Sequence, residues 1–566
     1  MHLISKLTLA FLITMLTNPI NVNAQNFFVT NVGEFDVAVE QVEPGGKIVL
    51  ANGVWDDVHI GFFANGVEGD SITIMAETPG EVIFTGTSKI ELAGNYLIVK
   101  DLDFNEGYSS GDAVISFRRN SNDVANHSRV TNCRIINYNP ETDATEYKWV
   151  SLYGEHNRVD HSHFEGKNHE GALLVVWLSG SANHHRIDHN YFANIPELGR
   201  NGAETIRIGT SDNSMTESRT TVEYNMFESC DGEIEIVSNK SGFNVYRYNT
   251  FRDNEGTLTL RHGNDCEVYG NFFFGGDKSS GGVRIIGERH KVYNNYFQGL
   301  KGDGFRAAIC MTNGVPDSPL NRYFQVKNAE VVHNTIVNCK EPIAIGEGKS
   351  DELSLPPINS TIANNLIDKT IGGKAITYTD TPINMEYLSN YINGTVGISA
   401  TGIINEDPLI VEEEVIFRPA SESPVINNAT GNFEYVIQDI DGQNRDNSPD
   451  VGCDEKSSLT IVNKPLFKED VGFDWSVDDS ITSIEESSQS NIFISSNRNE
   501  VIVHGISYEQ FPVRLMLYDT TGKRVYDNQV SGDTVRVEDY KGVLIAIILD
   551  GSNQILAKSK VILSHQ

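Results

Sequence analysis

The stretch TVEYNMFESCDGEIEIVSNKSGFNVYRYNTFRDNEGTLTLRHGNDCEVYGNFF (221–273) contains one short unit three times over. A β-branched residue and two or three polar residues lead to Asn-x-aromatic, as in TVEYNMF (221–227), NVYRYNTF (244–251) and EVYGNFF (267–273). With KVYNNYF (291–297), the asparagines Asn225, Asn249, Asn271 and Asn295 fall at steps of 22 to 24 residues. A period of that length, in short strands without helical spacing, is the signature of a parallel β-helix. Each asparagine would bond to its copies above and below, and the aromatic rings would stack inward.

The same unit returns as RIDHNYF (186–192), EVVHNTI (330–336) and STIANNLI (360–367), at longer steps that imply loops inserted between coils. A leucine-rich array lacks its leucines here, and a propeller blade is longer than this repeat. The solenoid is expected to span 25–456 and to close at DIDGQNRDNSPDVGCDE (439–455). Asp439-x-Asp441-Gly442 starts like a calcium loop but lacks the remainder of that motif, so a solvated turn is expected. Residues 457–489 are rich in Ser, Asp and Glu and read as a linker. From 490 to 566, alternating runs such as EVIVHGI and VRLMLYD predict a small C-terminal β-sandwich. The expected class is therefore all-β, a solenoid followed by a sandwich.

The first 24 residues read as a secretory signal: Lys6, an apolar run from Leu7 to Leu16, and Val22-Asn23-Ala24 before the cleavage site. That run is too short to span a bilayer, and no later stretch qualifies. The net charge of −33 argues against nucleic acid and anionic membranes as partners. From Thr401 onward acids outnumber bases roughly two to one, whereas 181–330 is closer to balance, so a polyanion remains compatible with a local cationic cleft. The six cysteines show no CxxC and no metal-type spacing, and are expected mostly as small core residues.

In DGEIEIVSNK (231–240), Glu233 and Glu235 alternate with Ile234 and Ile236, which puts both carboxylates on one face of a strand. Taken alone, the pair fits a solvated strand face. Lys240 follows closely, Arg261-His262 comes one coil later and Arg284 another step on, while NGAETIRIG (201–209) brings Asn201, Glu204 and Arg207 to the same side. Hard oxygens grouped with cations point instead to Ca²⁺-assisted chemistry on an acidic substrate.

The segments NGAETIRIG, CDGEIEIVSNKS, LRHG and GGVRIIG resemble polysaccharide lyase family 6, which holds alginate lyases and chondroitinase B. The resemblance covers most of 26–456 and implies a right-handed parallel β-helix. It implies Lys240 as base and Arg261 as acid, with calcium held by Asn201, Glu233 and Glu235. His262 and Arg284 are expected to bind substrate, Arg284 by helping the metal neutralise a uronate carboxylate. A guanidinium hardly gives up its proton, so Arg261 is also read as stabilising the leaving oxygen while water protonates it.

The expected partner is an acidic polysaccharide: alginate first, with dermatan sulfate the alternative if the loop at 306–327 adds cations through Arg306, Arg322 and Lys327. A polygalacturonase-type hydrolase would need the NTD, GDD and GHG triplets, which are absent. A non-catalytic carbohydrate-binding or adhesive β-helix would have no reason to group Lys240 and Arg261 beside two glutamates. The tail segments VRLMLYDTTGKRVYD and YKGVLIAII resemble C-terminal sorting domains of type IX secretion, implying the secretion machinery as a second partner.

Overall fold

The computed structural model describes residues 25–369 and 373–475, and in the tail 493–497, 500–504, 513–519, 523–530, 534–536, 542–549 and 555–563. The expected signal sequence, 1–24, lies outside them. Three sheets of fourteen strands each wind as a right-handed parallel β-helix. The one antiparallel exception in them is the short hairpin that pairs 118–120 with 123–126. At the N-terminal end, helix Val32–Gln41 buries Phe35 and Ala38 against the first coils, and Asn31 caps it by accepting from Glu34 N at 3.0 Å.

The expected ladder is present. Asn190, Asn225, Asn249, Asn271, Asn295, Asn334, Asn365 and Asn390 form one file, each amide Nδ2 donating to the next Oδ1 at 2.9–3.1 Å. Each receiving oxygen also accepts the backbone N–H of the previous asparagine, for example Asn249 N to Asn271 Oδ1 at 3.0 Å. A corner that would bury unpaired polar backbone is thereby satisfied coil by coil. The residue before each asparagine takes a left-handed conformation, as at Tyr224, Tyr248 and Asn294, which turns the chain between two sheets. Inside, Phe164, Phe192, Phe227, Phe251, Phe273 and Phe297 stack with centroids 4.6–5.2 Å apart. All six cysteines are free and buried.

The closing segment corrects one expectation. Asp439 and Asp441 are not in a solvated turn; both are buried with Asp454, Asp439 accepting from Gln443 N and Glu455 N and the other two closing on Arg418. Its guanidinium donates to Asp441 at 2.7 and 3.0 Å and to Asp454 at 2.7 Å. Arg418 arrives from a distant strand, so local composition gave no hint of it.

Residues 457–475 lie along the solenoid and lead back toward its first coils: Leu466 N donates to Thr250 Oγ1, Gly472 N to His189 O and Trp475 Nε1 to Asn132 O. Gly80 (φ 79°) is where the Trp475 ring docks, and a Cβ there would sit 1.7 Å from Cε3.

The tail forms a separate unit. Strands Phe493–Asn497, Glu500–His504 and Thr534–Arg536 make one antiparallel sheet. Arg524–Val530, Val513–Asp519, Gly542–Leu549 and Ile555–Leu563 make another. Val501, Leu515, Leu517, Leu544 and Ile548 are among its buried core, giving the expected small sandwich.

Removing one rung of the ladder leaves buried partners unpaired. Asn271→Ala is expected to lower stability by roughly 1–3 kcal/mol in denaturant titration; an unchanged midpoint would show that the ladder does not hold the coils together.

Candidate active site

The candidate residues gather on the outer face of one sheet. Strands Ile206–Ile208, Glu235–Lys240, Thr257–His262 and Val283–Ile285 are successive neighbours there. Their register aligns Arg207 with Ser238, Ser238 with Thr259 and Thr259 with Arg284. Lys240 pairs with His262, and the ladder is irregular at that point, leaving Arg261 as the extra residue beside Lys240. The inward alternation of TLTLR is as expected, with Leu258 and Leu260 fully buried.

Glu235 is the electrostatic centre. It accepts from Ser238 Oγ and forms an ion pair with Arg284, while Arg261 Nε lies 3.6 Å away. Arg284 is only 2 % exposed and its guanidinium also lies over the Phe305 ring at 5.5 Å. The structure thus places Arg284 beneath the surface as a counter-charge to Glu235. Glu233 accepts from Gly202 N at 3.2 Å, which draws the NGAET loop against it. Asn201 and Glu233 line the same cleft of about 220 Å³, together with Asp231 and Arg306.

Glu204 belongs to this group with more weight than its sequence suggested. Opposite the Glu235 position on the preceding strand, it is 4 % exposed and approaches Lys240 Nζ at 3.6 Å. Its other oxygen, Oε2, is buried without a hydrogen-bond partner. Burial pushes the Glu233 carboxyl up from its usual range, and the charges of Glu204 and Glu235 push it further.

Arg261 is clamped by a loop from a later coil. Its guanidinium lies 4.2 Å from the Tyr323 ring centre and donates to the carbonyls of Arg322 and Asn321 at 3.3 Å. Burial draws its pKa below the usual range, opposed by Glu235. The loop's own cations are engaged elsewhere, Arg322 with Glu352 and Lys327 with Glu288. Arg306 alone of the three expected cations reaches the cleft. Nothing in the sequence pointed to Tyr323, because its contact with Arg261 spans inserted loop and a full coil. His262 is 1 % exposed, with Nδ1 unpartnered. Burial, then Arg261 and Lys240, push its pKa down to about 3, so it is a neutral imidazole beside the candidate base.

The donor set fits a divalent cation. Glu233 and Asn201 line one cleft, the charges of Glu204 and Glu235 act on Glu233, and Glu204 Oε2 has no donor; hard oxygens of this kind suit Ca²⁺, although the ligand oxygens of the three glutamates do not all lie within 4.8 Å of one another. Among the described residues, the acidic triad whose ligand oxygens all lie within 4.8 Å of one another is Asp439, Asp441 and Asp454. That triad has the geometry to hold a metal, and Arg418 supplies one positive charge against its three carboxylates. At the glutamate site Glu235 is paired with Arg284 and approached by Arg261, and Glu204 is approached by Lys240, while Glu233 has no ion pair among the described residues.

The chain matches the chondroitinase B family over residues 29–434. The structure resembles the polysaccharide lyase family 6 alginate lyase AlyGC, with 38 % identity and a TM-score of 0.70, over 84 % of this chain and 62 % of that one. It also resembles a mannuronic acid specific family 6 lyase from human gut microbiota, with 30 % identity and a TM-score of 0.61, over 68 % of this chain and 91 % of that one. The family 6 lyase Pedsa3628 from Pseudopedobacter saltans shares 26 % identity, with a TM-score of 0.62, over 80 % of this chain and all (100 %) of that one. No curated protein matches. The chain belongs to polysaccharide lyase family 6, the chondroitinase B and alginate lyase family. It spans 62 % of the length of AlyGC.

Two measurements test the site. Ca²⁺ should raise the unfolding temperature of the chain relative to chelator, with about 2.7 kcal/mol gained at a hundredfold excess over Kd; Glu233→Gln should lose most of that gain. An equal shift in the variant would place the ion elsewhere. His262 is depressed from 6.5 to about 3, so the unfolded chain binds its proton first as pH falls. Its contribution is complete above pH 6.5 and is lost as pH falls toward 3. His262→Gln should flatten that part of the stability–pH curve.

Proposed function

We propose that the chain is an exported polysaccharide lyase that cleaves alginate by β-elimination at uronate residues, leaving a C4–C5 double bond. The observation that carries this reading is the juxtaposition of Lys240 and Arg261 on adjacent strands beside Glu204, Glu233 and Glu235.

The C5 proton of a 4-linked uronate is only weakly acidic, so removing it demands a placed base and compensation for charge on the neighbouring carboxylate. Lys240 Nζ, 3.6 Å from Glu204, is the group placed to accept that proton. The C5–H electron pair forms the C4–C5 double bond while the C4–O4 bond breaks toward oxygen. Arg261, held rigid by two carbonyls and Tyr323, donates hydrogen bonds to the departing O4, and water protonates it. His262, neutral and buried beneath the surface, backs its register partner Lys240 without adding charge. Asn201, Glu233 and Glu235, with Glu204 adjoining, would hold Ca²⁺, which when bound supplies neutralisation of the uronate carboxylate.

Alginate is favoured over dermatan sulfate because Arg322 and Lys327 are paired with glutamates rather than turned to the cleft. The names of the similar family 6 alginate and mannuronate lyases support the same choice. Export is supported by the signal-like first 24 residues, and no helix among the described residues is long and apolar enough to cross a membrane. The tail sandwich fits a sorting module: deleting 490–566 should stop secretion and leave polysaccharide binding intact.

The deciding experiment follows ultraviolet absorbance of polyguluronate, polymannuronate and dermatan sulfate with the full chain. New absorbance is expected on alginate blocks; turnover of dermatan sulfate alone would replace the substrate. Lys240→Ala should reduce kcat by roughly 100-fold or more with folding intact, and retained turnover would move the base elsewhere.

A further inference from the structure

Lys167 is 3 % exposed and takes no part in the proposed elimination. Among the described residues its ammonium forms no ion pair, and Nζ donates instead to His169 O and Gly171 O, each at 2.5 Å. Residues 167–171 thus fold around their own buried charge. Burial draws the Lys167 pKa down to about 7, and the charge that most opposes the fall is Glu204. His169 adds no second cation: burial and then Lys167 push its pKa down to about 3, and its ring lies against Tyr147 with centroids 4.0 Å apart. A buried ammonium without a carboxylate is unfavourable unless its N–H groups are met, so the turn that supplies the two carbonyls is tied to the charge.

That turn is the first layer of a stack that ends at the glutamates. Gly171 N donates to Gly202 O at 2.6 Å, and Gly202 N donates to Glu233 Oε2 at 3.2 Å. Two residues beyond the turn, Leu173 N donates to Glu204 O at 2.9 Å. Arg200 ties the same layers by its side chain, with Nε 3.4 Å from Glu170 Oε2 and Nη1 3.2 Å from Asp143 Oδ2. Asn201 lies between Arg200 and Gly202, so contacts to Glu170 and Gly171 flank it. Gly171, at φ 100°, permits the close approach: a Cβ there would meet Tyr147 O at 2.4 Å.

We propose that Lys167 is a positioning residue for the cation site: its ammonium sets the 167–171 turn, which holds Asn201, Gly202 and Glu204 against Glu233 in the arrangement that binds Ca²⁺. The inference rests on the calcium reading of the glutamate cleft. Lys167 touches neither ion nor sugar. It acts through two backbone hydrogen bonds in series, and its charge acts on Glu204, whose Oε2 has no donor. Without the ammonium the two carbonyls lose their donor, the turn relaxes, and Gly202 no longer fixes Glu233. Groups that orient metal ligands in this way commonly change affinity by about tenfold or more when removed.

The test measures Ca²⁺ affinity of the full chain by calorimetry and thermal shift, with Lys167→Met and Lys167→Arg beside the unaltered protein. Lys167→Met, which keeps the aliphatic length without donors, is expected to weaken Ca²⁺ binding about tenfold. Lys167→Arg, which keeps the charge and N–H donors, should recover part of that loss. In the ultraviolet assay, half-saturating Ca²⁺ should rise by a similar factor in Lys167→Met, with kcat restored by excess Ca²⁺, a rescue that general damage to the fold would not show. A folded Lys167→Met chain with unchanged Ca²⁺ affinity overturns the positioning role and leaves the calcium site standing; no Ca²⁺ response in the unaltered chain overturns both. Hydrogen exchange of the unaltered chain reads the same coupling if Lys167→Met does not fold. Added Ca²⁺ should slow the Gly171 and Gly202 amides together, and protection of Gly202 alone overturns the proposal.

Discussion

The asparagine file fixes the axial register of the solenoid, and the active face depends on that register. Each amide bridges two coils through its own Nδ2 and Oδ1 and satisfies a backbone N–H at the sharpest corner. Because the corner is locked, a residue's distance from the preceding asparagine determines where it lies on the next sheet. Lys240, fifteen places after Asn225, and His262, thirteen after Asn249, meet as a pair only because the ladder also absorbs an extra residue at Arg261. The site is thus built by counting residues along coils of unequal length, not by a local turn motif.

Charge then distinguishes side chains that share a face. Glu235 is compensated by Arg284 and approached by Arg261, so these three form a fixed base. Glu204 has Lys240 at 3.6 Å for one oxygen only, and Glu233 has no ion pair among the described residues, which is expressed in the orphaned Glu204 Oε2 and the raised pKa of Glu233. Arg207 shows the opposite deficit: among the described residues its guanidinium has no ion pair within 4 Å, its Nε has no acceptor, and only the field of Glu146 reaches it. Under the proposed reading, a surface where Glu233 lacks a counter-charge close to several cations suits a metal ion and a polyanion together, even on a chain of net charge −33.

Much of this was legible in the sequence. The solenoid, its ladder and the inward phenylalanines follow from the twenty-odd-residue period, which is local and repeated, and the residue types of the strip were readable too. The strict alternation of the strip was not borne out, since the strand begins at Glu235 and its ladder slips at Glu235/Val237 and at Asn239/Lys240. The closing acidic segment was misread as solvated because Arg418 meets Asp441 and Asp454 from another strand. The cations of the 306–327 loop were readable as residues but not as partners, and Glu352 and Glu288 removed two of them from the cleft.

By itself, then, the sequence determined the repeat, the face on which each strand residue lies, and the chemical types brought to that face, because alternation and period are properties of neighbouring residues. Tertiary structure alone decided which charges are already paired. Arg284 and Arg207 are indistinguishable as outward arginines in one row, yet one is closed beneath Phe305 against Glu235 and the other stands on Trp177 with no ion pair within 4 Å among the described residues. The difference comes from side chains on other coils and inserted loops, whose approach depends on how the whole solenoid stacks.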